Sequence, residues 1–169
     1  IEGGLYRDRV IYSEISEYQH IAVTRHRDDI RLYIDGNLQF SSMDEYRYHE
    51  ALVHVPMAML ENPRDVLILG GGDGLAAREV LKYPGTQITL VDLDKAMTDL
   101  SSRLRIITGI NRGSLSSPRV MIINDDAYKF LERTDRKFDL ILVDLPDPNN
   151  EALSKLYSNV FYRLCGRAL

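Results

Sequence analysis

The chain has 169 residues, 44% hydrophobic and 27% charged, with a net charge of −4. That is the balance of an ordinary globular segment, neither disordered nor fibrous. The acidic balance and the lack of a basic block with interleaved aromatics argue against nucleic acid as a partner. The single cysteine, Cys165, excludes an internal disulfide and a multi-cysteine metal site, and no apolar run approaches the roughly 20 residues of a membrane-spanning helix.

In chain order, HIAVT (20–24) and IRLYI (30–34) alternate on a period of two, and Asp35-Gly36 then separates IRLYI from NLQF (37–40). An Asp-Gly pair between such runs predicts a hairpin, because a type I′ turn needs positive φ at both positions. Residues 1–42 therefore read as a small β-hairpin unit. Ser42 followed by Glu45 fits a capping box opening a helix to about Leu60, with Tyr48, Leu52, Val55 and Met59 at helical spacing and Pro56 in its later turns. Asn62-Pro63 closes it.

Beyond Asp65 the rhythm changes. Strands are predicted at 66–69, 87–93, 119–123 and 138–144, and helices at 74–83, 95–107, 126–133 and 153–164. Apolar strands separated by helices imply a parallel sheet with right-handed crossovers. Residues 43–169 thus read as a doubly wound, Rossmann-like α/β domain. The first residue is not Met and the last follows a helix-like run, so both ends are expected to be cut from something longer.

Ligands in such sheets bind beyond the carboxyl ends of the strands. Acids stand at all four ends: Asp73; Asp92 and Asp94; Asp125 and Asp126; Asp144 and Asp147. Gly70, Gly72 and Gly74 form G-x-G-x-G, but the dinucleotide motif would need glycine at Leu75, and Asp73 stands where a pyrophosphate would lie. A neutral or cationic nucleoside fits better than a nicotinamide or flavin. Asp92, 20 positions past Gly72, can accept both ribose hydroxyls; alternatively it is only a strand-end residue. Asp125 is placed for an adenine amino group or for a helix cap, a job Asp126 could fill instead. Asp144 and Asp147 either flank a solvated proline turn or, with Asp73, bind a cation with more than one nitrogen. The four histidines show no metal-ligand pattern, so no metal is expected. His54 reads as a helix-face residue without a special role.

GGGDG, the strand-end acid, the Asp-x-x-Asp-Pro loop, YQ at 18–19, LYIDGNLQF at 32–40 and DEYRYHE at 44–50 together resemble the spermidine synthases, the polyamine aminopropyltransferases. The resemblance implies a methyltransferase-like sheet whose last strands are missing here, leaving the fourth strand as an edge. It implies transfer of an aminopropyl group from decarboxylated S-adenosylmethionine to putrescine or a related amine (spermidine, agmatine and cadaverine stay open), with release of methylthioadenosine. The donor is a co-substrate, and no permanently bound cofactor is implied.

By position, Gln19 would contact the thioadenosine moiety, while Gly70, Gly72 and Gly74 admit it. Asp73 would hold the aminopropyl ammonium, Asp92 the ribose, and Asp125 the adenine amino group with Asp126 beside it. Asp144 would be the catalytic acid-base residue, with Tyr48 relaying. His49, Asp73, Asp144 and Asp147 would bind the amine. The family's usual ribose Glu is Asp92 here, its Asp-Gly is Asp125-Asp126, and Leu145-Pro146 stands between the catalytic acids, so amine specificity stays open. VDLD and DLPDPNN look like a bacterial branch often fused to transmembrane helices. That implies a cytoplasmic segment and a parent in the bacterial inner membrane, while the exposed edge left by the fourth strand makes a homodimer or higher homo-oligomer the expectation. An S-adenosylmethionine-dependent methyltransferase, or a non-catalytic polyamine- or nucleoside-binding module, are the competing readings.

Overall fold

The computed structural model describes residues 7–146 and 154–169. Its chain divides into two compact units, Ile1–His49 and Glu50–Leu169.

The first unit holds a four-stranded antiparallel sheet in the order β1-β2-β3-β4: β1 (Arg9–Ile15), β2 (His20–His26), β3 (Asp29–Ile34) and β4 (Asn37–Ser41). The expected hairpin is β3–β4; Asp35 and Gly36 have φ of 50° and 80°, as a type I′ turn requires. The sequence pattern missed β1. Its register against β2 shifts between Val10 and Tyr12, and such a bulge interrupts the alternation on which the prediction relied.

Helix α1 (Glu45–Ala58) follows, but not with the expected cap or face. The Ser42 hydroxyl accepts the Ile30 amide at 2.9 Å and the Glu45 side chain turns to His49, so there is no capping box. Of the expected stripe, Tyr48, Val55 and Met59 are exposed and Leu52 packs partly buried against the core, whereas Glu45, His49, Val53 and Met57, each four residues on from the last, are buried. Side chains four apart stack on one helix face, and here that face carries two polar groups that hydrophobicity alone cannot select.

The second unit alternates β5 (Asp65–Gly70), α2 (Leu75–Val80), β6 (Gln87–Asp92), α3 (Lys95–Arg103), α4 (Arg105–Asn111), β7 (Val120–Asn124), α5 (Ala127–Arg133), β8 (Leu140–Asp144) and α6 (Asn159–Ala168). The strands pair in parallel in the order β7-β6-β5-β8, the doubly wound arrangement expected. The predicted 95–107 helix is broken at Leu104, which takes an extended ψ of 110°. No Gly or Pro marks the break. Both faces of the central strand β5 are covered. Val66 and Ile68 pack with Val53, Met57, Ala76, Ala77 and Val80, while Leu67 and Leu69 pack with Phe130, Leu131, Phe161 and Cys165. Each such aliphatic side chain contributes about 1.5–3 kcal/mol on burial, which is why these strands read as unbroken apolar runs.

Candidate active site

Strand order brings the acidic strand ends into one row. β5 has β6 on one side and β8 on the other, so successive crossovers leave in opposite directions and open a crevice at the carboxyl ends. Gly70 stands in register with Asp144.

The glycines at the end of β5 and just beyond it are wedged between two of the acids. Gly70 has φ of 83°, and a Cβ there would stand 2.0 Å from the Asp144 carbonyl oxygen. The Gly71 amide donates to that same oxygen at 3.1 Å, and a Cβ on Gly71 would lie 3.2 Å from Asp144 Oδ2. On the other side Asp92 Oδ2 accepts the Gly72 amide at 2.9 Å. A Cβ on Gly72 would come within 2.6 Å of that oxygen. The glycines therefore serve close approach to neighbouring carboxylates as well as any ligand. Asp73 follows, half-buried, with Oδ1 accepting the Leu75 amide at 2.8 Å.

Asp92 accepts a second backbone bond, from the Asp94 amide to Oδ1 at 2.9 Å. Burial pushes its carboxyl up to about 6, helped by the charges of Asp73 and Asp94 and opposed by the two amides. Asp94 itself is buried and caps α3 through the Ala96 amide at 2.9 Å.

At the end of β7 the two neighbouring acids differ in their partners. The Asp125 amide donates to the Asp92 carbonyl at 3.1 Å, and its carboxylate pairs with Arg133. Asp126 is the cap of α5, accepting the Tyr128 and Lys129 amides at 2.8 and 3.2 Å. Its other oxygen meets Lys155 Nζ at 2.7 Å. Burial pushes the Asp126 carboxyl up, but Lys155 and the cap amides outweigh it and hold it below the usual range.

Asp144 ends β8, with its carboxylate against Gly71. The Tyr157 hydroxyl lies 2.8 Å from the Pro146 carbonyl and 3.2 Å from that of Leu145, pinning the chain that leaves this acid. Asp147 lies outside the described residues.

Gln19, Tyr48 and His49 belong to the first unit. Gln19 closes the β1–β2 turn, its amide donating to Ser16 Oγ at 3.0 Å. Tyr48 is 52% exposed and meets the His49 ring edge-on at 5.0 Å. His49 is buried, with Nδ1 2.9 Å from both the carbonyl and Oε2 of Glu45. Two acceptors at one nitrogen place the proton on Nδ1.

Other contacts were not legible in the sequence. Asn111 Nδ2 donates to the carbonyl of Asp73 and to that of Ser101, each at 2.9 Å, and Ser114 Oγ donates to the Gly74 carbonyl at 2.6 Å. The only local signal, Asn-Arg-Gly-Ser at 111–114, reads as a plain helix ending. His54 is also more than a passive helix-face residue: Nε2 meets Glu79 Oε2 and Nδ1 meets the Tyr83 hydroxyl, both at 2.8 Å. Among the described residues there is no cluster suited to a metal ion, and no helix long and apolar enough to cross a membrane.

Residues 45–169 match the spermine/spermidine synthase domain. The chain is 57% identical over 164 residues to a polyamine aminopropyltransferase of Oceanobacillus iheyensis, covering 96% of this chain and 32% of that protein; it thus spans about a third of the length of this relative. The fold superposes on a spermidine synthase solved in complex with the transition state analogue AdoDATO, with a TM-score of 0.88 at 33% identity. That match covers 95% of this chain and 55% of the solved one. The spermidine synthase of Thermotoga maritima gives a TM-score of 0.84 at 33% identity, covering 95% and 54%.

Proposed function

The chain belongs to the spermine/spermidine synthase family, and from that premise we propose that the protein carrying it is a polyamine aminopropyltransferase, using decarboxylated S-adenosylmethionine as donor and putrescine or a related amine as acceptor. One observation supports this most: the glycine turn lies between two strand-end carboxylates, Asp92 against Gly72 and Asp144 against Gly71, and carries a third, Asp73, within it. Phosphate would be repelled from such a turn. A nucleoside with a cationic tail would be attracted to it.

In this reading Asp92 accepts the ribose hydroxyls, Asp125 the adenine amino group with Asp126 beside it as the helix cap, and Gln19 contacts the thioadenosine. Asp73 holds the ammonium of the aminopropyl tail. The amine nitrogen attacks the methylene carbon bonded to the sulfonium. As the new C–N bond forms, the C–S bond breaks and its electrons pass to sulfur, leaving neutral methylthioadenosine. The leaving group is already activated, so the protein mainly orients the amine, an effect worth up to roughly 7–11 kcal/mol in the best-aligned cases.

A free alkylamine has a pKa near 10, as lysine does, and its protonated form has no lone pair. Asp144 takes that proton directly or through Tyr48, while His49 and Asp147 hold the far end of the amine. The same reading makes the protein a homo-oligomer, with this segment facing the cytoplasm of a bacterium from a membrane-embedded parent.

The test is to incubate the full-length protein with putrescine, spermidine, agmatine or cadaverine and either decarboxylated S-adenosylmethionine or S-adenosylmethionine. Methylthioadenosine formed only with the decarboxylated donor supports the proposal. S-adenosylhomocysteine would make the protein a methyltransferase, and tight binding without either product would make it a binding module.

A further inference from the structure

Resting on that reading, we propose that Asn111 and Ser114 are positioning residues that set the direction of the Asp73 carboxylate and so control the grip on the donor's charged tail. Asp73 differs from the other rim acids in what holds its backbone. Asp92 and Asp144 end strands whose hydrogen-bonded ladders fix them. Asp73 stands between Gly72 and Gly74, on a turn closed by the Gly74 amide donating to the Gly71 carbonyl at 2.9 Å. Glycine loses more conformational freedom on ordering than any other residue, so the peptides after Asp73 and after Gly74 need an outside restraint.

Each has one. The Asp73 carbonyl accepts from Asn111 Nδ2 at 2.9 Å and the Gly74 carbonyl from Ser114 Oγ at 2.6 Å. Both side chains are sealed from solvent, Asn111 at 0% and Ser114 at 2% exposure. The fit is close: a Cβ on Gly74 would stand 2.7 Å from Ser114 Oγ and 3.0 Å from Asn111 Nδ2. The Asn111 amide also donates to the Ser101 carbonyl, and its oxygen accepts the Gly113 amide at 2.9 Å. The loop is thereby tied to the end of α3 and to the turn after α4. The Asp73 carboxylate accepts its own loop's Leu75 amide, so moving this backbone moves the carboxylate. Neither Asn111 nor Ser114 touches that carboxylate; they act through the two carbonyl groups.

Methylthioadenosine shares the donor's nucleoside but lacks the aminopropyl tail, which separates tail recognition from general integrity. Calorimetric titration of the full-length protein with each compound tests the proposal. In Asn111→Ala the dissociation constant for decarboxylated S-adenosylmethionine should rise about tenfold, and that for methylthioadenosine should stay within about threefold. The KM for the donor should rise while the KM for the amine is unchanged. Ser114→Ala should show the same split more weakly and decides the matter if Asn111→Ala does not fold. Parallel loss of both ligands, or loss of neither, overturns the proposal. If the unsubstituted protein binds no decarboxylated donor, the enzymatic reading itself has failed, an outcome distinct from the other two.

Discussion

Asp92 and Gly72 occupy each other's space: Asp92 Oδ2 accepts the Gly72 amide at 2.9 Å, and a methyl group on Gly72 would stand 2.6 Å from that oxygen. The glycine is there because the acid is. Gly72→Ala should therefore displace the Asp92 carboxylate and weaken methylthioadenosine binding about tenfold or more, read by calorimetry. Gly70→Ala meets a backbone carbonyl at 2.0 Å from a φ of 83°, so it should cost about 3 kcal/mol or more in urea denaturation.

Asp92 also predicts a pH dependence. Its folded carboxyl titrates at about 6 against an ordinary 3.8, so between these values the native state holds more protons than the unfolded chain. Stability should then fall as pH rises through that window. Comparing melting temperatures with Asp92→Asn from pH 4 to 8, the difference should favour the parent residue most near pH 4, shrink through pH 6 and then level off. A constant difference would refute the shift. Methylthioadenosine affinity should rise through the same window, because ribose hydroxyls donate more strongly to the ionised acid.

The opposite slope is expected of Glu79, only 1% exposed and held by Arg78, His54 and Lys82. Burial pushes its carboxyl up, but these three donors together hold it below the usual range. Its contribution is complete above the ordinary carboxylate pKa and is lost as pH falls through the folded value. Glu79→Ala leaves the nearly buried Arg78 without its carboxylate and should cost about 3–5 kcal/mol at neutral pH. In denaturation series the gap should close on acidification.

For Asp144, substitution by Asn should lower turnover about 100-fold or more while changing methylthioadenosine affinity less than about threefold. Equal loss of both would make Asp144 structural. Turnover of the unsubstituted protein should peak at alkaline pH, where the acceptor amine is neutral; an optimum below pH 6 would contradict a neutral-amine nucleophile.

What could be read from the sequence follows periodicity and strand ends. The parallel sheet was legible because Val66–Leu69 and its neighbours are apolar on both faces, and the acid row because its acids stand at or within a few residues of the ends of such runs. The break at Leu104 was not, since no Gly or Pro marks it. Nor was the buried face of α1, where Glu45 and His49 satisfy each other. The Asn111 and Ser114 tethers join positions 38 and 40 residues apart, and periodicity carries no information about such pairings.

Cys165 has a practical use. It is buried among Leu67, Leu69 and Phe161 on α6, and burial pushes its thiol up. Since only an exposed thiolate reacts with an alkylating reagent, the labelling rate of this side chain clocks how often the α6 face of the sheet opens. Nature has supplied this segment with a single built-in stopwatch, and no reporter group has to be engineered into it.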